Sequence, residues 1–115
     1  MKRFINFVID KKSTLLMACN VIAKNKSRCV LVSDNKKIIG VLSEGDLMRA
    51  LIGGASIHSK IDAFINLNFF YLTEKNLLQA KEIFKKNLIT ILPILDKSMK
   101  LINIITLRDM LGTFK

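Results

Sequence analysis

Two pairs of polar residues, Ser43 with Asp46 and Thr106 with Asp109, each place a hydroxyl and a carboxylate three positions apart. Each pair lies between two apolar segments, and the pairs are 63 positions apart in the chain. A hydroxyl at the N-cap of a helix with an acid three residues later forms a capping box, in which each side chain satisfies a backbone N–H. Helix capping is therefore the first chemistry that this spacing predicts, and its repetition raises the question of a second role.

The two motifs belong to a longer internal repeat, which we trace backwards from them. The offset between the copies is 62 up to the first strand of a hairpin and 63 from Gly40 onward, so the second copy has one extra residue. Gly40 aligns with Asn103, and both residue types tolerate positive φ in a tight turn or bulge. The other aligned pairs are Leu15–Leu77, Ala18–Ala80, Ile22–Phe84, Lys24–Lys86, Asn25–Asn87, Val30–Leu92, Val32–Ile94 and Asp34–Asp96.

Each copy predicts the same order of elements. A short apolar strand (residues 6–9 or 69–72) precedes a helix with apolar residues at i, i+3, i+4 and i+7. Two apolar strands separated by a polar turn follow, as in a hairpin. A last helix begins at the motif hydroxyl, and in the first copy it ends near Ile52, before Gly53 and Gly54. The helical stripes are Leu15, Ala18, Cys19 and Ile22 in the first copy and Leu77, Ala80, Ile83 and Phe84 in the second.

The repeat predicts an α+β fold with two β-α-β-β-α units, residues 1–54 and 69–115. A half of about 55 residues is rarely stable alone, so the units should share one core and be related by a pseudo-two-fold axis. The linker, residues 55–68, has apolar residues at helical spacing and should pack against the units rather than extend into solvent. These linker residues are Ile57, Ile61, Phe64 and Ile65.

Composition sets further bounds on function. Half of the residues are hydrophobic, which argues against global disorder, and no apolar run approaches the roughly 18 residues of a membrane span. The first residues resemble a signal peptide only briefly, because the apolar part is broken by Asn6 and stops at Asp10. The net charge of +10 favours anionic partners such as nucleotides, nucleic acid or an acidic protein surface, although the basic residues are scattered along the chain.

Candidate catalytic and metal-binding groups are few. Cys19 and Cys29 lie in apolar surroundings without a Cys or His at metal-ligand spacing, which indicates free thiols in a reducing cytoplasm. His58 is the only histidine and has no evident catalytic partner in the sequence. No nucleophile with a base, no metal cluster and no glycine-rich phosphate loop is evident, so we expect no catalytic activity from this chain.

The segments "VLVSDNKKIIGVLSEGDLMRAL" and "LPILDKSMKLINIITLRDML" resemble the two halves of a tandem pair of cystathionine-β-synthase (CBS) domains, also called a Bateman module. The segment "RALIGGASIHSKIDAFIN" is similar to the linker of CBS pairs joined to sugar-phosphate nucleotidyltransferases. The resemblance implies clefts between the units that bind AMP, ADP, ATP or S-adenosylmethionine as a ligand. It also implies a cytoplasmic homodimer in which the helices of two pairs pack together.

The resemblance also assigns residues to the ligand. The motif side chains Ser43, Asp46, Thr106 and Asp109 would contact ribose and phosphate, with free N–H groups at the helix N-termini beside them. Arg28 could reach a phosphate, and Arg108 would lie at a cleft rim. Two apolar slots would hold adenine, one lined by Val8, Ile9 and Cys29 and the other by Tyr71, Leu72 and Pro93. Because Leu31 aligns with Pro93 and Arg28 with Thr90, one cleft alone could be competent.

The leading hypothesis is a nucleotide-sensing regulatory module that modulates a partner or a fused catalytic domain such as a nucleotidyltransferase. Two rival hypotheses remain. The first is a CBS-type dimerisation module without a nucleotide ligand, in which the motif acids serve as helix caps worth about 1 kcal/mol each. The second is nucleic-acid binding through the basic charge, which requires a steep loss of affinity with salt. The basic residues form no clustered stripe with interleaved aromatic residues, so nucleic-acid binding ranks last.

Overall fold

The computed structural model of the chain describes residues 4–113, and no helix within that range is long and apolar enough to cross a membrane. The first unit contains β1 (Val8–Asp10), α1 (Leu15–Asn25), β2 (Cys29–Asp34), β3 (Lys37–Ser43) and α2 (Glu44–Ile52). The second contains α3 (Leu77–Lys86), β4 (Ile91–Leu95), β5 (Leu101–Thr106) and α4 (Leu107–Met110). Two 3₁₀ helices, Ile61–Ala63 and Leu111–Thr113, lie in the linker and after α4. The predicted α+β class and the repeated unit are confirmed.

Each unit has a small sheet. In the first, β1 pairs in parallel with β2, and β2 pairs antiparallel with β3. In the second, β4 and β5 form an antiparallel pair, and a single parallel bridge from Leu72 to Ile94 takes the place of β1. The predicted strand at 69–72 is therefore wrong in extent. Phe70 and Tyr71 are 46% and 41% exposed, so this apolar segment lies at the surface instead of inside a sheet.

The first strand also differs from its predicted position, 6–9. Asn6 lies in a turn closed by a hydrogen bond from the Phe7 N–H to the Phe4 carbonyl. The Asn6 carbonyl accepts a hydrogen bond from Asn25 Nδ2 at 2.8 Å, so it is bound to the end of α1. Because this turn occupies residues 4–7, the strand begins only at Val8.

The two long helices bury the predicted stripes with one exception. Leu15, Ala18 and Ile22 of α1 are buried, with Cys19 packed at the edge of the same cluster. In α3, Ala80 and Phe84 are buried and Ile83 packs beside them, whereas Leu77 is 50% exposed. Leu77 follows the N-cap Asn76 directly, so it lies on the first turn at the end of the helix, where the core no longer covers it.

The linker packs against the first unit, but it is not the helix that its spacing suggests. Ile61 is fully buried in the core of the first unit, and Phe64 and Ile65 pack against that core. Only residues 61–63 form a 3₁₀ turn, and Ile57 is 41% exposed. Backbone bridges, Thr14 with Lys60 and Val41 with Asn66, hold the linker along the unit instead.

The hairpins explain the change of offset in the repeat. Both have the same register break, between Val32 and Ser33 in β2 and between Ile94 and Leu95 in β4. The first hairpin turns through two residues, Asn35 and Lys36, whereas in the second the Asp96 N–H bonds to the Lys100 carbonyl across three residues. The extra residue therefore lies in the turn, where it leaves the strand faces unchanged.

The first turn leads to a stability prediction. Asn35 and Lys36 have φ of 51° and 70°, as in a type I′ turn, which favours Asn-Gly. Lys36→Gly should therefore raise the free energy of unfolding by about 0.5–1 kcal/mol, because lysine pays a steric cost at positive φ. Urea denaturation measures the change. Lys75→Gly, in a loop without positive φ, is the matched control and should show no gain.

Three clusters make up the core. One lies within each unit, and a third joins them around Leu31, Ile38, Ile91 and Leu95. Residues that the repeat makes equivalent meet in this shared cluster, as expected near a two-fold axis. Lys37 and Lys100, which are also equivalent, pair with each other across the units. The shared-core prediction thus holds through the third cluster; the equivalent pairs there are Phe7–Phe69, Cys29–Ile91, Ile38–Leu101 and Val41–Ile104.

Gly40 has a different role from the predicted one. Neither Gly40 nor Asn103 has positive φ. A Cβ at position 40 would lie 2.4 Å from Ile65 Cγ2 and 2.7 Å from the Asn66 carbonyl oxygen, so glycine is required by the close approach of the linker. In the second unit Asn103 Oδ1 accepts a hydrogen bond from the Ile104 N–H at 2.8 Å.

Candidate functional site

Both motifs form complete capping boxes. Ser43 is the N-cap of α2: its Oγ accepts from the Asp46 N–H at 3.2 Å, and Asp46 Oδ2 accepts from the Ser43 N–H at 2.9 Å. Thr106 and Asp109 repeat the arrangement at α4, with distances of 3.1 and 3.0 Å. The capping role predicted from the spacing is confirmed in both copies, and it leaves further lone pairs on each carboxylate.

The first backbone N–H groups of these helices are not free, contrary to expectation. The Glu44 N–H bonds to the Arg28 carbonyl at 2.9 Å, and the Leu107 N–H bonds to the Thr90 carbonyl at 2.8 Å. Glu44 and Leu107 are equivalent positions, as are Arg28 and Thr90, so both units tie the start of the helix to the residue just before the first strand of the hairpin. A phosphate at either helix would depend on side chains more than on these N–H groups.

Each motif faces a cleft whose other wall belongs to the other unit. The larger cleft has a volume of about 740 Å³. It brings together Ser43, Asp46, Arg28 and Cys29 of the first unit with side chains of the second. Among the latter are Phe69, Phe70, Asn87, Leu88 and Thr90.

The smaller cleft, of about 340 Å³, contains the second motif. Thr106, Arg108, Asp109 and Ile104 line it from the second unit, and the first unit contributes Phe4, Phe7, Asn25 and Ser27. Both volumes fall within the range of roughly 300–1,000 Å³ that small-molecule sites occupy. Each motif therefore faces a cleft wall that belongs to the opposite repeat, and we call this the crossed arrangement of the clefts.

The proposed adenine slots are not at the cleft walls, apart from Cys29. Ile9, Leu72 and Pro93 are buried in the core, so their assignment as ligand contacts is corrected. Val8 packs against the shared cluster, and the Tyr71 ring lies tilted against that of Phe69, with 5.6 Å between the ring centroids. The residues at the clefts that sequence reasoning missed include Phe7 and Phe69. The repeat offset of 62 aligns these two phenylalanines, which was the available signal.

A small basic depression lies between the two clefts. Lys26, Arg28 and Arg108 surround it together with Ser27 and Thr90, in a volume of about 190 Å³. Among residues 4–113 none of the three basic side chains forms an ion pair with a carboxylate. The Thr90 hydroxyl donates a hydrogen bond to the Ser27 carbonyl, which fixes the units against each other at this point. The depression therefore concentrates positive charge where the clefts meet.

Within residues 4–113, two ionisable groups have shifted pKa values, and both belong to the larger cleft. Burial raises the pKa of the Cys29 thiol to about 12, so the thiol stays protonated at neutral pH. Cys19 and Cys29 are both free. Burial also acts to raise the pKa of Asp46, but hydrogen bonds from the Ser43 backbone and the Arg49 side chain outweigh it and hold that pKa below its usual range. Among the described residues no His, Cys, Asp and Glu cluster could hold a metal ion.

The lowered pKa predicts how the stability contribution of Asp46 depends on pH. A carboxylate with a depressed folded-state pKa stabilises the fold above its unfolded-state pKa, and this contribution is lost as pH falls through the folded-state pKa. Asp46→Asn should therefore cost about 1 kcal/mol near pH 7, and the cost should shrink below about pH 4. Urea denaturation across pH measures it. With Asp62→Asn, in the exposed linker turn, the cost should be small at every pH.

The chain is similar in sequence to one protein family and to longer bacterial proteins. The model "CBS domain" matches residues 2–53 and again residues 68–115. An uncharacterised protein of Helicobacter pylori (strain J99) is 33% identical over 90 residues, covering 76% of this chain and 27% of that protein. Arabinose 5-phosphate isomerase GutQ of Escherichia coli O6:H1 is 33% identical over 82 residues, covering 70% and 26%. The chain thus spans about a quarter of the length of these relatives.

Solved structures share the fold at low sequence identity. A putative acetoin utilization protein (AcuB) from Vibrio cholerae superposes with a TM-score of 0.82 at 23% identity, covering 93% of this chain and 81% of that one. A CBS domain protein from Pyrobaculum aerophilum complexed with AMP gives 0.78 at 19%, covering 95% and 84%. The cytosolic domain of the Mg²⁺ channel MgtE in complex with ATP gives 0.74 at 19%, covering 94% and 44%.

Proposed function

This chain belongs to the CBS domain family as a tandem pair, a regulatory module and not a catalytic domain, and from that premise we propose that it senses an adenosyl nucleotide between its two units. The observation that carries the proposal is the crossed arrangement of the clefts, in which each hydroxyl–acid motif faces the opposite repeat. A ligand held there would contact both units at once. Binding would therefore favour one relative arrangement of the units and pass that preference to a partner.

The larger cleft is the favoured site within this proposal. Its volume is about twice that of the other, and it combines the Ser43–Asp46 motif with aromatic side chains, Phe69 and Phe70, on the facing wall. An apolar wall suits a purine, and a carboxylate suits the two hydroxyls of a ribose. Phe69 and Phe70 replace the buried residues that were first assigned to adenine.

The basic depression supports a ligand that carries phosphate. Lys26, Arg28 and Arg108 place three positive charges where the clefts meet, within reach of ligands in either one. Charge-assisted hydrogen bonds to phosphate are about twice as strong as neutral ones. AMP, ADP or ATP would gain from this charge, whereas S-adenosylmethionine has no phosphate to place there.

The chain's similarity to GutQ supports a sugar-phosphate isomerase as the regulated catalytic domain. GutQ is about four times longer than the matched segment, so its activity would reside outside the region that this chain resembles. The earlier prediction of a nucleotidyltransferase has no support from the relatives named above. A homodimer also stays a prediction, which exposed apolar side chains on α1, α2 and α3 support: Met17, Met48, Ile52 and Leu78.

Thermal unfolding with added nucleotides tests the proposal. We expect AMP, ADP or ATP at ten times its dissociation constant to add about 1.4 kcal/mol to the free energy of unfolding, because the ligand binds the folded state alone. In a domain of this size such a gain raises the midpoint by several degrees. S-adenosylmethionine and GTP are measured in parallel at the same moderate salt.

Variants identify the cleft in the same experiment. Asp46→Ala should abolish the shift and Asp109→Ala should leave most of it, if the larger cleft is the site. Asp62→Ala, at an exposed carboxylate that lines neither cleft, is the matched control. The absence of a shift with any adenosyl ligand would reject nucleotide sensing and leave the dimerisation module as the better account.

A further inference from the structure

Both oxygens of the Asp46 carboxylate have a hydrogen-bond partner before any ligand arrives. Oδ2 accepts from the Ser43 N–H at 2.9 Å, and Oδ1 accepts from Arg49 Nη2 at 2.8 Å. The second contact is an ion pair within α2, between residues three positions apart. A ligand hydroxyl that approaches Asp46 from the cleft therefore meets an oxygen that already has a cationic partner.

The Arg49 side chain is only weakly held in its ion pair with Asp46. Its side chain is 72% exposed, whereas that of Asp46 is 24% exposed. Ion pairs of this kind contribute little, typically below about 1 kcal/mol, because water competes for both partners. Arg49 lines the larger cleft and also an open groove on its other side, beside Ser59 and Phe64. The guanidinium thus has space to move into when it leaves Asp46.

Gly45 makes room for this contact. A Cβ at position 45 would lie 3.2 Å from Arg49 Nη1 and 3.3 Å from Nη2, so the guanidinium lies against a site where only hydrogen is present. A larger side chain would push the arginine away from its present position. The local sequence Gly45-Asp46-Leu47-Met48-Arg49 therefore supplies both the acid and the space for its cation.

In the part of the chain that the structure describes, the second motif has no equivalent of the Arg49–Asp46 ion pair. The repeat places Gly112 at the position of Arg49 and Arg108 at that of Gly45. Among the described residues, the hydrogen bonds of the Asp109 side chain are those of its capping box, and no ion pair involves it. The two motifs, alike in their capping, thus differ in whether a cation holds the carboxylate.

We propose that Arg49 limits the affinity of the larger cleft for a ribose by competing with ligand hydroxyl groups for Asp46. The inference rests on the proposed function, since it concerns the same cleft. A ligand with two adjacent hydroxyls, as in a ribose, displaces Arg49 because it offers two donors to the carboxylate. A ligand with a single hydroxyl gains less from Asp46, so it leaves the ion pair in place and binds without that contact. Arg49 acts through Asp46 and is a positioning residue.

Titration calorimetry with adenosine and 2′-deoxyadenosine tests this inference. Both nucleosides are uncharged at neutral pH, so the basic depression does not affect the comparison of their affinities. Every sample also carries Asp109→Ala, which removes the carboxylate of the second motif. Arg49→Met keeps the length of the side chain without its charge. We expect Arg49→Met to bind adenosine about threefold more tightly and to bind 2′-deoxyadenosine more tightly by a smaller factor, so that the preference for adenosine widens.

Two further measurements separate competition from a structural effect. Arg49→Lys, which keeps the charge, should restore affinities close to those of the parent chain. The gain from Arg49→Met should shrink as salt rises, because salt screens the exposed ion pair that the substitution removes. Lys86→Met, which removes the exposed pair of Lys86 with Glu82 on α3, is the matched control and should change neither affinity.

The outcomes distinguish this inference from the proposed function. Tighter adenosine binding by Arg49→Met, including binding that appears only in the variant, supports it. Binding by the parent chain that is unchanged or weakened in Arg49→Met overturns the competition and leaves nucleotide sensing intact. If neither chain binds either nucleoside, and AMP and ATP also fail, both proposals fall; if AMP or ATP binds while neither nucleoside does, only the competition falls.

Discussion

Leu31→Ala is expected to lower the free energy of unfolding by about 3 kcal/mol, within the range of 2–5 kcal/mol for buried leucines. Leu31 is fully buried in the cluster that joins the units, with Ile91 and Leu95 from the second unit. Alanine would leave a cavity between the units and not within one of them. The loss should therefore be felt by both units, although the substitution lies in the first.

The single tyrosine makes this measurable. Tyr71 lies in the second unit, and the chain has no tryptophan, so tyrosine fluorescence reports on that unit while far-UV circular dichroism reports on the whole chain. We expect both signals to shift to the same lower urea midpoint in Leu31→Ala. Leu67→Ala, at a leucine that is 70% exposed, is the matched control and should change stability by less than about 0.5 kcal/mol. A tyrosine midpoint that stays in place would contradict the shared core.

Gly40→Ala is expected to cost about 2–3 kcal/mol, the upper part of the range for overpacked sites. The added methyl would lie 2.4 Å from Ile65 Cγ2 and 2.7 Å from the Asn66 carbonyl oxygen. Ile65 can change rotamer, but Asn66 is held by reciprocal backbone hydrogen bonds to Val41, at 3.0 and 2.9 Å. The linker would have to move away from β3, which breaks that pair.

The equivalent position in the second unit gives the comparison. Asn103→Ala removes one hydrogen bond, from the Ile104 N–H, and should cost no more than about 1 kcal/mol. Urea denaturation of both variants measures the difference. Equal costs at positions 40 and 103 would show that the linker yields easily, and the close approach at Gly40 would then not explain the glycine.

The repeat, the hairpins and both capping boxes could be predicted from the sequence because they depend on local spacing. The N-caps at Ser43 and Thr106 follow from a hydroxyl and an acid three residues apart, and the stop of α2 follows from Gly53. The conformation of the linker could not be predicted in the same way. Ile61, Phe64 and Ile65 have helical spacing, but backbone bridges to Thr14 and Val41 hold that segment extended, and those contacts lie far away in the sequence.

The candidate site was predictable only in part for the same reason. The four motif residues lie at clefts because the helices that begin there face the other unit. The apolar contacts were misassigned because strand periodicity does not say which face meets the core. Ile9 and Leu72 therefore proved to be buried, whereas Phe69 and Phe70 face the cleft. Arg49 and Asp46 have the i, i+3 spacing of an ion pair within a helix. The sequence does not show, however, that this pair lies at a cleft between the units.

The unequal hairpin turns have a consequence for how a duplicated gene becomes one domain. Two identical halves that meet on a two-fold axis are already complementary, because each contact between them has a symmetry-related copy. Here the bridge between the equivalent residues Lys37 and Lys100 has this character, and beside it the Met99 carbonyl accepts a hydrogen bond from the Ile38 N–H at 2.9 Å. The one-residue difference in length lies in the turn next to this bridge, so the copies can diverge there without disturbing the pairing that joins them.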